Sequence, residues 1–194
     1  LERELDDPQY LEYTQVIIAE ADRLQDLMNR LLNSHRMMHP TMVNVHDVLE
    51  RVLKLIQAEF PGVKVKRDYD VSLPLLTADR EQLIQSVLNI SRNAAQAMKG
   101  EGTLTLRTRA ARQVTLAKRR HKLALELQVI DNGPGIPEEI RDKIFYPLVS
   151  GREGGTGLGL SIAQSFVEQH QGSIEMESEP GRTCFTILLP ITQA

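Results

Sequence analysis

Two asparagines with helical spacing are the first residues whose chemistry suggests a site. Asn89 and Asn93 are four positions apart, so on a helix their side chains are neighbours. The same segment carries an apolar stripe on another side, formed by Leu83, Val87, Ile90, Ala94 and Ala97. Asparagine is a mediocre helix former, and two in mid-helix can simply form a solvated polar face. The functional alternative is that their amide oxygens face a cavity and bind a hard cation such as Mg²⁺.

Asp131 is the second candidate. It ends a strand-like alternation, and Gly133 and Gly135 follow it directly. An ionised carboxylate at a strand end can accept a hydrogen bond from an exocyclic amine such as N6 of adenine. The glycines leave room for a flat ring beside it. The alternative is an Asx-turn in which Asp131 hydrogen-bonds its own loop.

The third candidate is a glycine-rich stretch that reads GREGGTGLGLS from 151 to 161. Its spacing excludes the dinucleotide-binding turn, because the third glycine would fall on Leu160 or Ile162. It also excludes the P-loop, because no lysine follows Gly159. We predict a helix from 161 to 170, and backbone N–H groups before such a helix form an anion site. The alternative is a disordered surface loop.

Composition limits the class of protein. The chain has 194 residues, 41% of them hydrophobic and 25% charged, which is typical of soluble globular proteins. A net charge of −3 provides no general attraction for nucleic acid. Cys184 is the only cysteine, which excludes an intrachain disulfide and indicates a reducing, cytoplasmic compartment. No apolar run reaches the ~20 residues that a membrane helix needs, so we expect no membrane partner.

The first 34 residues predict one long helix. Asp7 can cap it and Pro8 suits its first position. Apolar or near-apolar residues then recur in steps of four and three, at Tyr10, Thr14, Ile17, Ala21, Leu24, Met28 and Leu31. This heptad seam indicates a bundle or coiled coil, although a simple packing helix remains the alternative. We interpret 35–41 as a linker and 42–194 as a compact domain.

The compact domain mixes strands and helices. We predict helices at 46–60, 79–98 and 161–170, and a short one after Pro137. We predict strands at 43–45, 63–67, 103–109, 122–130, 173–179 and 183–189. This order favours an α+β fold with a mixed sheet. The basic run 118–122 is interpreted as the solvated tip of a hairpin, in preference to a binding patch.

The three candidates occur in an order that resembles one family. Residues 89–97 resemble the N box of the ATP-binding domain of two-component histidine kinases, and 131–137 resemble its G1 box. Residues 145–150 are similar to its F box and 155–162 to its G2 box. Residues 181–185 look like the entry to its last strand. The resemblance covers about 42–190 and implies the Bergerat (GHKL) α/β sandwich. The helix before it resembles the second helix of the dimerisation and phosphoacceptor hairpin.

The resemblance implies ATP and Mg²⁺ as cofactors and assigns roles to individual residues. Asn93 would ligate Mg²⁺ with help from Asn89, and Asp131 would contact adenine N6 near Thr183. The remaining nucleotide contacts would come from Gly133, Gly135, Gly155, Thr156, Gly157, Leu158 and Gly159. Arg92 would act catalytically by neutralising charge on the γ-phosphate, and its alternative is a surface salt bridge.

The residue at position 89 distinguishes domains that transfer the γ-phosphate to another group from domains that hydrolyse ATP. Related ATPases carry a glutamate there as the general base for water, and the amide of Asn89 cannot act as that base. The resemblance therefore implies transfer of the γ-phosphate to a histidine and disfavours a plain ATPase. A docking and dimerisation module is a further alternative.

Among the histidine kinases, the nitrogen-regulation sensor kinases are the branch that residues 145–157 closely resemble. This similarity implies a homodimeric full-length kinase that acts on an NtrC-type response regulator and binds a PII signal protein. It also implies support for dephosphorylation of the regulator.

We predict that the isolated chain binds ATP without phosphorylating itself. The family's acceptor motif, His-Glu-x-x-Asn-Pro, surrounds none of His35, His39, His46, His121 and His170, so we expect that motif upstream of Leu1. Incubation with γ-labelled ATP should leave the chain unlabelled, whereas an added acceptor hairpin should become labelled. Strong labelling of the chain alone would contradict this expectation.

Overall fold

A computed structural model of the protein describes residues 38–149 and 157–191. The predicted helix 1–34, residues 35–37 of the predicted linker, and Gly155 and Thr156 lie outside the described residues. The described part is α+β with a mixed sheet, which confirms the predicted class. None of its helices has the length and apolarity needed to cross a bilayer.

The main sheet has five strands in the order β2-β4-β5-β7-β6. They span Val63–Asp68 (β2), Gly102–Leu116 (β4), Arg119–Asp131 (β5), Ser173–Glu179 (β6) and Arg182–Pro190 (β7). β2 runs parallel to β4, and the other pairs are antiparallel. A separate antiparallel pair joins β1 (Thr41–Val43) to β3 (Leu76–Ala78).

Four helices accompany the sheet: α1 (Val45–Glu59), α2 (Arg80–Ala97), α3 (Glu138–Arg141) and α4 (Gly159–Gln169). α2 packs against both α1 and α4 and also contacts β4 and β5. The apolar side of α1 is fully buried, as the sequence predicts, at Val48, Leu49, Val52, Leu53 and Ile56. The core therefore lies between the helices and the sheet, and α2 is its central helix.

The alternation of β5 places Asp131 on the core side of the sheet. Leu125, Leu127 and Val129 are buried at every second position, and Asp131 continues the series. A slip of one residue would turn the whole series to the opposite face. The register that buries this apolar face thus also positions the carboxylate.

The structure differs from the sequence prediction at the first strand, at β3 and at the hairpin. The first strand is Thr41–Val43 rather than 43–45, because the Asn44 side chain caps α1 and the helix begins at Val45. β3 was not predicted. The β4–β5 hairpin extends to the pair Leu116 and Arg119, so most of the basic run 118–122 is strand. Only Ala117 and Lys118 form the turn, both with positive φ, as in a type I′ hairpin.

His46 lies in the first turn of α1 and packs against β4 and the residue that follows β2. Its Nε2 lies 3.1 Å from the hydroxyl of Thr108, and its ring stacks on Tyr69 at 4.8 Å. The Thr108 hydroxyl accepts the backbone N–H of Asp70 at 2.9 Å, so its own proton is available to a neutral His46. Burial lowers the pKa of His46, against smaller opposing effects of Asp70, Asp47 and Glu50.

This lowered pKa predicts a pH-dependent contribution to stability. The unfolded chain binds a proton at His46 more readily than the folded chain does. The neutral ring therefore stabilises the fold above the unfolded pKa of 6.5, and this advantage is lost as the pH falls through the folded pKa. Urea unfolding from pH 7.5 down to pH 5 should show a steeper loss of unfolding free energy for the wild type than for His46→Gln. Equal slopes would contradict the prediction.

Candidate functional site

The N-terminal cap of α2 sets the position of the two asparagines. Asp79 accepts the backbone N–H of Gln82 at 3.1 Å, and the Gln82 side chain approaches the same carboxylate at 3.4 Å. Asp79 is therefore the N-cap of α2, although the Gln82 side chain bonds the Asp79 carboxylate and not its backbone N–H, as a full capping box would require. Leu83, Val87, Ile90 and Ala94 are buried as expected, although Ala97 is only half-buried. Asn89 and Asn93 are both half-buried, so they are not on a fully solvated face.

Gly159 brings the start of α4 onto these asparagines. The Asn89 side-chain amide donates to the carbonyl of Gly159 at 3.3 Å. A β-carbon on Gly159 would lie 3.4 Å from Cβ of Asn89 and 3.8 Å from Nδ2 of Asn93. The helix begins at Gly159, two residues before the predicted start at 161. The first turn of α4, with its N–H groups and dipole, therefore lies beside the candidate metal ligands.

Gly157 is held against the end of the predicted F box. Its φ is 63°, and its carbonyl accepts the N–H of Leu148 at 3.1 Å. A β-carbon at this position would lie 2.6 Å from the carbonyl oxygen of Val149. The adjacent Leu158 is fully buried. The close approach explains why a glycine is required at this position, where the chain enters α4.

Asp131 and Thr183 face each other at the edge of the core. They are direct partners in the β5–β7 pairing, which confirms the expected proximity. Asp131 is 4% exposed and Thr183 is 3% exposed. The Asp131 carboxylate accepts the N–H of Gly133 at 2.8 Å, so the Asx-turn that the sequence left as an alternative is present. One carboxylate oxygen thus supports the turn that follows Asp131.

The two G1 glycines allow close packing of that turn. A β-carbon on Gly133 would lie 2.8 Å from Oδ1 of Asp131 and 3.3 Å from Cγ of Met98. Gly135 has a φ of 87°, and a β-carbon there would lie 3.0 Å from the backbone of Glu179. The turn is therefore in contact with the end of α2 on one side and with the end of β6 on the other.

Ser178 belongs to this arrangement and was not predicted. Its hydroxyl accepts the N–H of Ile136 at 2.8 Å and lies 3.0 Å from the hydroxyl of Thr183. The sequence contained a signal for this position. Ser178 continues the alternation of Ile174 and Met176 in a strand predicted with its observed bounds, so the three side chains lie on one face of the sheet. Ser178 therefore links β6, β7 and the G1 turn.

Arg92 forms the salt bridge that was its alternative interpretation. Its Nε lies 2.8 Å from a carboxylate oxygen of Glu59, the last residue of α1. Both side chains are about 40% exposed, a setting in which ion pairs contribute little stability. A catalytic role for Arg92 stays a prediction.

The described residues contain no cluster of three or more His, Cys, Asp or Glu side chains suited to a metal. The side chains near Gly159 that carry ligand-type oxygens are the neutral amides of Asn89 and Asn93. Neutral oxygens suit Mg²⁺ when phosphate oxygens and water complete its coordination. The donor set therefore fits a cation that is bound together with a phosphorylated ligand.

Comparison with known proteins identifies the family model that matches. Residues 78–193 match the model described as histidine kinase-, DNA gyrase B-, and HSP90-like ATPase. A relative, the sensory histidine kinase/phosphatase NtrB of Klebsiella oxytoca, is 55% identical over 194 residues. The alignment covers 98% of this chain and 55% of that relative. The chain thus spans little more than half the length of the curated relative.

Solved structures resemble the fold. The nucleotide-free catalytic domain of histidine kinase ThkA aligns with a TM-score of 0.68 and 26% identity, covering 80% of this chain and 97% of that domain. ThkA in complex with the response regulator protein TrrA aligns with a TM-score of 0.71 and 26% identity, covering 98% of this chain and 54% of that one. Because the family model covers more than half of the chain, including α2, the G1 turn and α4, the protein belongs to the family of histidine kinase-, DNA gyrase B- and HSP90-like ATPases.

Proposed function

We propose that this chain is the ATP-binding catalytic portion of a sensor histidine kinase of the nitrogen-regulation type. The observation that carries the proposal is that one helix, α2, contacts both glycine segments. Asn89 contacts Gly159 near the middle of α2. At its end, a β-carbon on Gly133 would lie within 4 Å of Ala97 and Met98. Asn93 and Ala97 are one helical turn apart, about 6 Å. That spacing suits a ligand whose anionic group lies near Asn93 and whose planar ring lies near Ala97.

Asp131 is the base-recognition group in this proposal. Its carboxylate would accept the exocyclic amine of adenine while also holding the G1 turn through Gly133. Thr183, opposite it in the sheet, and the glycine backbone at 133 and 135 would line the ring. A buried carboxylate is stabilised by each further hydrogen bond that it accepts, so binding of an amine donor at this place is favourable.

Asn93 and Asn89 are the metal-binding residues in this proposal, with Mg²⁺ as the cation. Bound Mg²⁺ would neutralise phosphate charge during transfer. The amide oxygens of the two asparagines would orient it at the start of α4. The backbone of Gly157, Leu158 and Gly159 would lie along the phosphates. Gly155 and Thr156, which precede them in the chain, would contribute further contacts to the nucleotide.

The chemistry we propose is phosphoryl transfer to histidine rather than hydrolysis. Asn89 occupies the position where a general base for water would stand, and a carboxamide cannot take a proton from water at neutral pH. The domain would therefore hold ATP until an imidazole is supplied. Relay to an aspartate of a response regulator would follow, and the chain would also support dephosphorylation of that regulator.

Partners follow from the same proposal. The full-length protein would be a homodimer that acts on an NtrC-type response regulator and is regulated by a PII signal protein. The complex of ThkA with TrrA is a case in which a kinase of similar fold binds a response regulator. The high identity to an NtrB protein supports the choice of the nitrogen-regulation branch.

Calorimetric titration of ATP, with and without Mg²⁺, tests the proposal. We expect binding by the wild type that is tighter with Mg²⁺. Asn93→Ala should remove most of the gain from Mg²⁺, because the amide ligand is lost. Asp131→Asn should weaken binding by about tenfold or more in both conditions, since a polar group buried without its partner costs about 1–3 kcal/mol.

Matched controls are available on the same elements. Gln85→Ala changes another half-buried amide of α2, and Asp142→Asn neutralises an exposed carboxylate just after α3. Both should bind ATP like the wild type. If the wild type binds no ATP, or if the control variants weaken binding as much as the site variants, the proposed function is wrong.

Gly157 and Gly181 provide a second test, which concerns the close approach of the chain where it enters α4. Both have positive φ, but only a β-carbon at Gly157 would meet backbone atoms, whereas at Gly181 nothing lies within 4 Å. Alanine in a left-handed conformation costs about 1–2 kcal/mol at either place. Gly157→Ala should therefore lose more unfolding free energy in urea than Gly181→Ala and should bind ATP more weakly. Equal losses in the two variants would contradict this.

A further inference from the structure

Asp79 lies where three segments of the chain meet. It is 7% exposed, and besides capping α2 its carboxylate accepts the backbone N–H of His39 at 3.1 Å. Its own backbone N–H donates to Nε2 of His170, the residue that ends α4, at 3.2 Å. We call His39, Asp79, Gln82 and His170 the Asp79 junction. It joins the segment before β1, the start of α2 and the end of α4.

The hydrogen bonds of His170 define its tautomer. A backbone N–H can only donate, so Nε2 must accept from Asp79. The Nδ1 atom lies 2.9 Å from the carbonyl of Phe166, which can only accept, so Nδ1 carries the proton. The ring also packs on the Phe166 ring, with centroids 4.1 Å apart. His170 is therefore held on both sides, as an acceptor at Nε2 and as a donor at Nδ1.

The junction and the candidate site lie at opposite ends of α4. His170, after the end of α4, contacts Asp79 at the start of α2. Gly159, at the start of α4, contacts Asn89 beyond the middle of α2. The two helices are therefore antiparallel. α4 has 11 residues, which makes it about 16 Å long, and a helix of this length moves as a rigid rod.

The middle of this helix pair is packed on one side and open on the other. Val87 of α2 and Ala163 and Phe166 of α4 are buried. A groove of about 420 Å³ runs beside them, bordered by both helices and by the 145–147 segment. Apolar packing therefore holds α4 against α2, and the hydrogen bonds at the two ends of α4 add directional contacts that fix its register.

From this arrangement we infer that His170 is a positioning residue for the nucleotide site. By accepting the Asp79 N–H it holds α4 in register on α2, and the register places the backbone of 157–159 against Asn89 and Asn93. His170 itself touches neither nucleotide nor metal. The inference rests on the proposed function for its effect on ATP, but not for its effect on the order of α4.

Two readouts on the whole 194-residue chain test the role of His170. The first is amide hydrogen exchange of residues 158–165, at the far end of α4. The second is the dissociation constant of Mg·ATP. His170→Phe keeps a ring against Phe166 but removes the acceptor, and it should speed exchange and raise the dissociation constant about threefold to tenfold, as expected for one lost hydrogen bond. His170→Gln retains an acceptor near Nε2 and should stay within about twofold of the wild type.

Thr108→Val is the matched control. It removes a fully buried hydroxyl whose hydrogen-bond partners are His46 and Asp70, neither of which belongs to α4. It should lower the melting temperature while leaving both readouts unchanged. If Thr108→Val changes them as His170→Phe does, or if His170→Phe behaves like the wild type, the inference is overturned.

The design separates this inference from the proposed function. A wild type that binds no ATP would refute the proposed function alone, because exchange at 158–165 still tests the register of α4. If His170→Phe does not fold, His170→Ala compared with His170→Gln provides the same contrast. Failure of His170→Gln to restore slow exchange would also overturn the role of the Nε2 acceptor.

Discussion

The site depends on the packing of α2 against two glycine segments at once. A helix that must bury an apolar stripe has one side left for polar residues, and Asn89 and Asn93 occupy its border. They can serve a ligand only if another backbone comes close, and Gly159 permits that approach because it has no side chain. At the other end Gly133 does the same for the G1 turn. The burial that stabilises the domain therefore also fixes the spacing between the two halves of the site.

The sheet contributes to the site through the register of β5, which sets the position of Asp131. Asp131 is the last residue of an alternating series that buries Leu125, Leu127 and Val129. The apolar contacts hold the carboxylate at 4% exposure, where it cannot move freely into solvent. Its hydrogen bond to Gly133 compensates part of the cost of burial. A carboxylate held in this way is preorganised, so little conformational entropy is lost when it accepts a further donor.

The sequence predicted what local patterns determine. α2 was predicted nearly to its ends, because a periodic apolar stripe runs along it, and β6 was predicted with its observed bounds. β3 was missed, since a three-residue strand is defined by its pairing with β1, which is a long-range contact. Family resemblance named Asn93, Asp131 and Gly159 as site residues. The sequence does not contain the contact of Gly159 with Asn89 or the link from Ser178 to Thr183, because both arise only when distant elements pack.

The neutrality of the two asparagines proposed as metal ligands has a consequence for how such a site would work. Clusters of carboxylates bind free divalent cations, but two amides provide no net charge to offset the loss of hydration. Among the described residues no acidic cluster is present to do so. On the proposed function, the cation would therefore enter with the phosphates and leave with them. The start of α4 would then respond to the nucleotide rather than to the concentration of free cation. A register of α4 held at its far end by His170, and not by a metal, is consistent with a site that must keep its geometry between successive nucleotides.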